Sequence, residues 1–174
     1  PTLDYQPHWT KPPLAYWGIA AGIMLFGQNE WGVRFSNSLS FFITIIIIMI
    51  LGSLLWEYRV GLIAGLIYLS SPFPVFGANA VSTDTLLTLW ELFAVLCYFK
   101  AYRSEESKRK TVWITCMWFF FGLGFLTKGP PSLLPLLPLI IWNYTRKSRV
   151  AFFRGFGVPL FLFTGFSWFI LVSI

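Results

Sequence analysis

The chain has 174 residues, of which 56% are hydrophobic, 20% are aromatic and only 11% are charged. In a soluble domain about a quarter of all residues are charged. This composition therefore excludes a water-soluble globular protein and indicates a polytopic membrane protein. The net charge of +6 does not indicate nucleic-acid binding, because the basic residues cluster between apolar runs, where they orient membrane proteins. We therefore predict an all-α bundle of transmembrane helices.

The sequence begins at Pro1 without a methionine or a signal-type leader and stops at Ile174 inside an apolar run. From these two ends we expect a fragment, with residues 1–174 belonging to one membrane-embedded domain. Cys97 and Cys116 lie within apolar segments, which predicts buried free thiols rather than a disulfide.

The first predicted helix is short. Residues 1–11 are polar, aromatic and turn-rich, which predicts a loop, and residues 12–26 are apolar and end at Gly27. Pro12 and Pro13 fit the first turn of a helix and therefore start one. Fifteen residues extend only roughly 22 Å, whereas a bilayer core measures about 30 Å, so we predict that this helix lies in the membrane interface.

About six membrane-crossing helices are predicted within residues 33–174. The expected spans are residues 35–56, 60–79, 84–99, 111–127, 131–145 and 155–174. Ser82 or Thr83 is placed to cap the third span, and Pro135 and Pro138 are expected to kink the fifth.

The basic residues predict the orientation of the bundle. Ten of the 13 lysines and arginines follow the first, third and fifth predicted spans, so that side is expected to be cytoplasmic. The other side keeps Lys11, Arg34 and Lys128, together with Glu30 and Asp84. This arrangement requires that residues 12–26 do not cross the membrane, because otherwise Lys11 and His8 would lie on the opposite side from Asp84 and Lys128.

Lys11, Asp84 and Lys128 are the main candidates for a site that holds a lipid-linked phosphate. Lysine binds phosphate as a point charge, and a medium of low dielectric constant strengthens the attraction. Each residue also has a structural interpretation. Lys11 could be an interfacial lysine, Asp84 could be a charge at a helix N-terminus or a partner of a lysine, and Lys128 could end a helix or neutralise Asp84.

Three other polar residues, Glu30, Arg34 and His8, are secondary candidates. Glu30 and Arg34 are spaced to pair on one helical face, which favours a structural role. Glu91 lies seven residues after Asp84 at membrane depth, so we expect it to be paired or protonated and assign it no chemistry. His8 is the only histidine; one histidine makes no metal site, and a polar loop residue or a sugar contact is the better interpretation.

Four motifs in order resemble those of the protein O-mannosyltransferase and lipid A aminoarabinose transferase family, the lipid-dependent GT-C glycosyltransferases (glycosyltransferase family 39-like). The resemblance covers essentially the whole chain. The motifs are Lys11-Pro12-Pro13-Leu14 with Tyr16-Trp17, Phe26-Gly27 through Asn29-Glu30-Trp31 to Arg34, Asp84 with Leu86-Leu87, and Leu126-Thr127-Lys128-Gly129-Pro130.

The resemblance implies a multi-pass enzyme of a bacterial inner membrane. Such an enzyme moves a sugar from a polyprenyl-phosphate carrier to lipid A, a protein or another glycan, on the extracytoplasmic face and with inversion at the anomeric carbon. Its partners would be the lipid-linked donor, the acceptor and membrane lipids, and Lys11 would contact the carrier phosphate as it leaves.

Two features of the family's site are left open by this sequence. The family's catalytic aspartate lies well upstream of the lysine–proline motif, and Asp4 is too close to Lys11 to be that residue, so we expect the base upstream of Pro1. Many relatives have an acidic residue directly before the lysine, where this chain has Thr10. In aminoarabinose-transferase relatives that acid is linked to a metal, so no metal ligand is assigned and a divalent metal stays open.

A non-enzymatic protein is the alternative. A flippase, transporter or assembly subunit could bind an anionic lipid with the same lysines and would need no general base. An acidic pair in the loop upstream of Pro1 would favour the enzyme.

Overall fold

The computed structural model of the protein describes residues 2–3, 6–7, 11–146 and 150–173, and this part of the chain is built almost entirely from helices. The helices are α1 (Leu14–Phe26), α2 (Glu30–Leu55), α3 (Tyr58–Ser70), α4 (Pro72–Asn79), α5 (Asp84–Arg103), α6 (Ser107–Lys128), α7 (Leu136–Thr145) and α8 (Gly157–Ser173), with a 3₁₀ turn at Pro130–Leu133. The predicted all-α bundle is confirmed. The predicted loop 1–11 needs one correction, because strands β1 (Thr2–Leu3) and β2 (Gln6–Pro7) form a minimal antiparallel pair there.

Helix α1 begins and ends where its local sequence predicts. It starts directly after Pro12 and Pro13, and it ends at Gly27, whose φ of 82° is unfavourable for other residues and whose N–H donates to the carbonyl of Ile23. Its 13 residues are too few to cross a bilayer core, which needs about 20. The predicted short helix after the lysine–proline motif is therefore present.

Helices α1 and α2 form a close antiparallel hairpin. Asn29 caps α2 by accepting a hydrogen bond from the N–H of Gly32 at 2.9 Å. Gly22 packs against the backbone of Gly32, and Gly18 lies against Ser36. Small residues at these positions allow the two backbones to approach, so α1 follows the first turns of α2 back along the bundle.

The second predicted span is bent. It consists of α3 and α4, whose axes differ by 60°. Pro72 has no N–H for the helical ladder and forces the preceding residue out of helical geometry; Ser71 accordingly has φ −73° and ψ 127°. The predicted span at residues 60–79 therefore consists of two helices joined at a bend.

The centre of the bundle is the antiparallel hairpin of α5 and α6. Tyr98, Met117 and Phe121 are completely buried, and the rings of Phe93 and Phe120 stack with centroids 4.7 Å apart. Both helices extend beyond the predicted spans, α5 to Arg103 and α6 back to Ser107. Cys97 is buried, Cys116 is half-buried, and both are free thiols, as predicted.

The fifth predicted span, residues 131–145, is not one kinked helix. The chain forms the 3₁₀ turn and then α7, which has only ten residues. Prolines at 130, 131, 135 and 138 supply no backbone N–H, so a continuous α-helical ladder cannot form across this segment. The buried Nε1–H of Trp118 donates to the carbonyl of Phe152 at 2.7 Å and holds the connection to α8 against α6.

Three helices of the described chain, α2, α5 and α6, are long and apolar enough to cross a membrane, and α3 with α4 makes a fourth span if the bent pair crosses as a unit. Helices α1 and α8 are apolar but shorter. The protein is thus a multi-pass membrane protein. The count of about six spans stays a prediction.

Candidate functional site

Lys128 and Asp84 form an ion pair at one end of the α5–α6 hairpin. Asp84 is the first residue of α5 and Lys128 is the last residue of α6. Because the two helices run antiparallel, their ends meet, and Lys128 Nζ donates to Asp84 Oδ1. Both side chains remain partly exposed. The structure thus joins two of the three predicted site residues, across 44 positions of sequence.

A tight turn sets the position of Lys128. Gly129 ends α6 with φ 78°, and its N–H donates to the carbonyl of Phe125 at 2.7 Å. The 3₁₀ turn then brings the fully buried Ser132 against Gly124. Lys128 is therefore held between the last turn of α6 and a turn that folds back onto that helix.

Asp84 is held from the opposite side by α2. The Nδ2 group of the buried Asn37 donates to the carbonyls of Ala80, at 2.5 Å, and Ser82, at 3.0 Å. Ser82 in turn accepts a hydrogen bond from the N–H of Asp84 at 3.3 Å. Of the two predicted caps, Ser82 makes this contact, whereas the side chain of Thr83 makes no capping hydrogen bond.

Within the described residues, no ion pair joins Lys11 to this pair. The side chain of Lys11 is exposed, and this residue precedes Pro12 and the fully buried Pro13. Leu14, three residues later, shares an apolar groove of about 290 Å³ with Leu86 and Trp90 of α5. The start of α1 therefore packs beside the first two turns of α5, whose first residue, Asp84, marks one end of the bundle. This end is called the Asp84 end below.

Glu30 and Arg34 pair with each other. They lie one turn apart at the start of α2, with 3.6 Å between Arg34 Nη2 and Glu30 Oε2, and both are exposed. Together with Trp31, Ser38 and Asn79 they line a small polar pocket. This geometry agrees with the structural pair that the spacing indicated, and a direct role in the site stays a prediction.

Glu91 lies near the Asp84–Lys128 pair. It lies on α5, and its spacing of seven residues places it on the helical face of Asp84. Asp84 and Lys128 are both near enough for their charges to act on it, yet within the described residues no ion pair or hydrogen bond holds its carboxylate. Of the two expectations for Glu91, paired or protonated, the described residues therefore supply no ion-pair partner.

Some predicted features lie outside the described residues. His8 is one of these, as are Asp4 and Thr10. Within the described ranges, no group of three histidine, cysteine, aspartate or glutamate side chains comes together in a way that could hold a metal ion.

The basic residues gather at the end of the bundle opposite the Asp84 end. Arg59 follows α2, Lys100 and Arg103 end α5, and Lys108 to Lys110 begin α6. Arg154, before α8, donates to Ser107 at the start of α6. Two cations at this end make cation–π contacts. Lys100 Nζ lies 4.6 Å from the ring centre of Trp113, and Arg146 Cζ lies 4.8 Å from that of Trp142.

Solved structures share this arrangement of helices. The structure of ArnT from Cupriavidus metallidurans in the apo state superimposes with a TM-score of 0.87 at 24% sequence identity, over 99% of this chain and 33% of that one. The structure of the same protein bound to undecaprenyl phosphate gives a TM-score of 0.81 at 25% identity, over 97% of this chain and 32% of that one. The fold is therefore of the GT-C membrane type.

Sequence comparison shows the family. The profile of the family described as dolichyl-phosphate-mannose-protein mannosyltransferase matches residues 10–169, and the chain belongs to this family. The match includes Lys11, Asp84 and Lys128. The resemblance stated from the four motifs is thereby confirmed.

Curated relatives carry a more specific name. The undecaprenyl phosphate-alpha-4-amino-4-deoxy-L-arabinose arabinosyl transferase of Pseudomonas savastanoi pv. phaseolicola is 29% identical over 142 residues, which is 78% of this chain and 26% of the relative. The arabinosyl transferase 2 of the same description from Proteus mirabilis is 32% identical, over 80% of this chain and 25% of the relative. The chain thus spans about a quarter of the length of these relatives.

Proposed function

We propose that the whole protein is a glycosyltransferase that takes a sugar from a polyprenyl-phosphate carrier and transfers it to a lipid, protein or glycan acceptor. The observation that carries this proposal is the Asp84–Lys128 pair. It unites two family motifs, and Leu14 of a third motif shares a groove with Leu86 near the start of α5. The family match and the names of the relatives support the same reaction class.

Undecaprenyl phosphate is the proposed carrier. The curated relatives are named for a donor built on this lipid phosphate, and a structural neighbour of this chain was solved with undecaprenyl phosphate bound. An apolar polyprenyl chain suits a protein whose surface beside the site consists of membrane-exposed helices.

Lys11 is proposed to bind the carrier phosphate. As the bond between the anomeric carbon and the phosphate oxygen breaks, negative charge grows on that oxygen, and a fixed ammonium group nearby stabilises it. Lys128 is a second cation for the same phosphate, and Asp84 orients Lys128 or the acceptor. The base that takes the acceptor proton is proposed to be an aspartate upstream of Pro1, as the family resemblance implies.

The proposed active face is the Asp84 end, on the extracytoplasmic side of a bacterial inner membrane. The opposite end carries most of the basic residues, which favours its cytoplasmic placement by the positive-inside rule. A polyprenyl-phosphate donor would then meet Lys11 at the outer leaflet.

The test is the Lys11→Ala variant of the full-length protein, with transfer measured from a defined undecaprenyl-phosphate-linked donor. Loss of a charge-assisted phosphate contact predicts a fall in kcat/KM of about tenfold or more. Lys108→Ala, which removes a lysine at the opposite end, is the matched control and should retain activity. Transfer by the Lys11 variant within a few-fold of wild type would overturn the role assigned to Lys11.

A further inference from the structure

A small polar pocket lies at the start of α2, beside the end of α4. Its volume is about 200 Å³, and the side chains that line it include an acid, a base, an indole, a hydroxyl and an amide, which belong to Glu30, Arg34, Trp31, Ser38 and Asn79. Four of these residues lie on the first turns of α2, and Asn79 is the last residue of α4. The pocket thus presents both charges and several hydrogen-bonding groups within one small volume.

The two charges of the pocket are only loosely paired. Arg34 Nη2 and Glu30 Oε2 are 3.6 Å apart, whereas a charge-assisted hydrogen bond measures about 2.7–2.9 Å. At the start of α6, by contrast, Arg109 Nε approaches Glu106 Oε2 to 2.9 Å. Glu30 and Arg34 therefore keep hydrogen-bonding capacity that a ligand can use.

The uncharged groups of the pocket are also available. Trp31 Nε1 and Ser38 Oγ make no hydrogen bond with any other described residue, although Ser40 on the same helix donates to the carbonyl four residues before it. Asn79 Nδ2 donates to the carbonyl of Val75, and Asn79 Oδ1 accepts no hydrogen bond from the described residues. The pocket therefore offers donors and acceptors that the fold itself does not use.

The length of α2 places this pocket at the level of lipid headgroups. Its 26 residues extend roughly 39 Å, whereas the hydrocarbon core of a bilayer measures about 30 Å. The ends of the helix therefore reach beyond that core. Trp31 is exposed beside the pocket, and exposed tryptophans are enriched at the boundary between membrane and water.

An exposed apolar stripe continues from the pocket along α2. Leu39, Phe42, Ile46 and Ile50 are exposed, and their spacing of three or four residues places them on one helical face. Phe42 follows Ser38, a lining residue of the pocket, by one turn. A polar pocket at headgroup level followed by an apolar stripe matches the two parts of a phospholipid.

We propose that this pocket binds a phospholipid whose headgroup carries both a phosphate and a primary ammonium, as phosphatidylethanolamine does. Glu30 accepts hydrogen bonds from the ammonium group, Arg34 donates to the phosphate, and an acyl chain lies along the apolar stripe of α2. An anionic headgroup without an amine would meet Glu30 as a like charge, and a quaternary ammonium has no N–H to donate. This binding site is separate from the transfer reaction and goes beyond the proposed function.

A lipid bound here would contact two helices where they are already tied together. Asn79 precedes Ala80, whose carbonyl accepts a hydrogen bond from Asn37, the residue before Ser38. A headgroup that contacts α2 and Asn79 therefore adds to this connection. Because a ligand that binds the folded state stabilises it, the lipid should also raise the temperature of unfolding.

The experiment titrates the full-length protein in detergent with three lipids that have the same acyl chains: phosphatidylethanolamine, phosphatidylcholine and phosphatidylglycerol. Native mass spectrometry gives the dissociation constant of each lipid, and thermal unfolding measures its stabilising effect. The variants are Glu30→Gln and Arg34→Gln. Glu106→Gln is the matched control, because it removes a glutamate from the more closely paired charges at the start of α6.

The wild type should bind phosphatidylethanolamine about fivefold more tightly than phosphatidylcholine, a ratio in the range that exposed ion pairs supply. Glu30→Gln should reduce this ratio below about twofold by weakening the first lipid alone. Arg34→Gln should weaken both lipids by about fivefold, because both carry the phosphate. Glu106→Gln should match the wild type.

Three results would overturn the proposal. The first is equal binding of phosphatidylethanolamine and phosphatidylcholine by the wild type, and the second is tighter binding of phosphatidylglycerol than of either. The third is the absence of bound lipid or of any effect of the Glu30 and Arg34 variants, which is expected if another part of the full-length protein covers the pocket. Transfer activity does not enter this test, so the proposed function stands or fails independently of it.

Discussion

Gly124 of α6 and Ser132 of the 3₁₀ turn lie so close that a Cβ at position 124 would come within 2.9 Å of the Cβ of Ser132. The same Cβ would lie 3.5 Å from Leu87 Cδ1 and 3.7 Å from Trp90 Cβ. Glycine at 124 therefore allows the turn after Lys128 to pack against both α5 and α6. We expect this contact to help hold the turn that follows Lys128.

Gly124→Val should destabilise the protein by about 1–3 kcal/mol, because added side-chain volume at a closely packed position forces the turn away from the helix. The measurement is thermal unfolding of the full-length protein in detergent. Adding Ser132→Gly removes the opposing Cβ and should recover part of the loss, as expected for residues in contact. Equal stability of the single and double variants would contradict this account.

Asn37→Leu should cost about 1–3 kcal/mol, because two carbonyls in a partly buried site lose their donor. Asn79→Leu is the control, since Asn79 is exposed and its Nδ2 donates to Val75 of its own helix. Thermal unfolding of the two variants measures the difference. If they unfold at the same temperature, the tether between α2 and the start of α5 contributes nothing.

Trp118→Phe should also destabilise the protein, by about 1–3 kcal/mol, because the carbonyl of Phe152 is left buried without its donor. Trp31→Phe changes a side chain that is 82% exposed and should alter stability by less than about 0.5 kcal/mol. Chemical denaturation followed by tryptophan fluorescence compares the two variants. Unchanged stability of the Trp118→Phe variant would show that the loop before α8 is not held by Trp118.

Exchanging the charges of Asp84 and Lys128 distinguishes a role of the pair in stability from a role in transfer activity. Both side chains are partly exposed, so the pair should contribute only about 0.2–1 kcal/mol to stability. Asp84→Lys with Lys128→Asp restores the pair but places a cation at a helix N-terminus and an anion at a helix C-terminus, which costs about 0.3–1 kcal/mol each. The exchanged protein should therefore fold with modestly lower stability, yet lose most transfer activity, because under the proposed function each charge then occupies the position assigned to the other. Full activity of the exchanged protein would show that the pair serves structure alone.

Several local features of the fold were predictable because they depend on neighbouring residues. Pro12 and Pro13 predict the start of α1, Gly27 predicts its end, and the uncharged run of residues 35–56 predicts most of α2. The bend between α3 and α4 was missed, although Pro72 supplies its cause, because hydrophobicity alone does not distinguish a straight span from a broken one.

The candidate site was predictable in part. Charge asymmetry placed Asp84 and Lys128 on one side of the membrane, and the resemblance drew attention to Lys11. Spacing predicts that Glu91 shares a helical face with Asp84. It does not predict whether a residue on a neighbouring helix lies close enough to pair with Glu91. Helix α7 is shorter than the predicted span, with ten residues. The closely spaced prolines remove several backbone hydrogen bonds, whereas a kink would remove about one.

By itself the sequence determined the class of protein and the positions of most helices, and it predicted the side of the membrane on which each charged residue falls. These properties follow from composition, periodicity and local backbone chemistry. Only the tertiary structure decided that Lys128 meets Asp84, that Ser132 packs against Gly124 and that Glu91 is left without a partner among the described residues. Such contacts join positions far apart along the chain, and their formation depends on how whole helices pack.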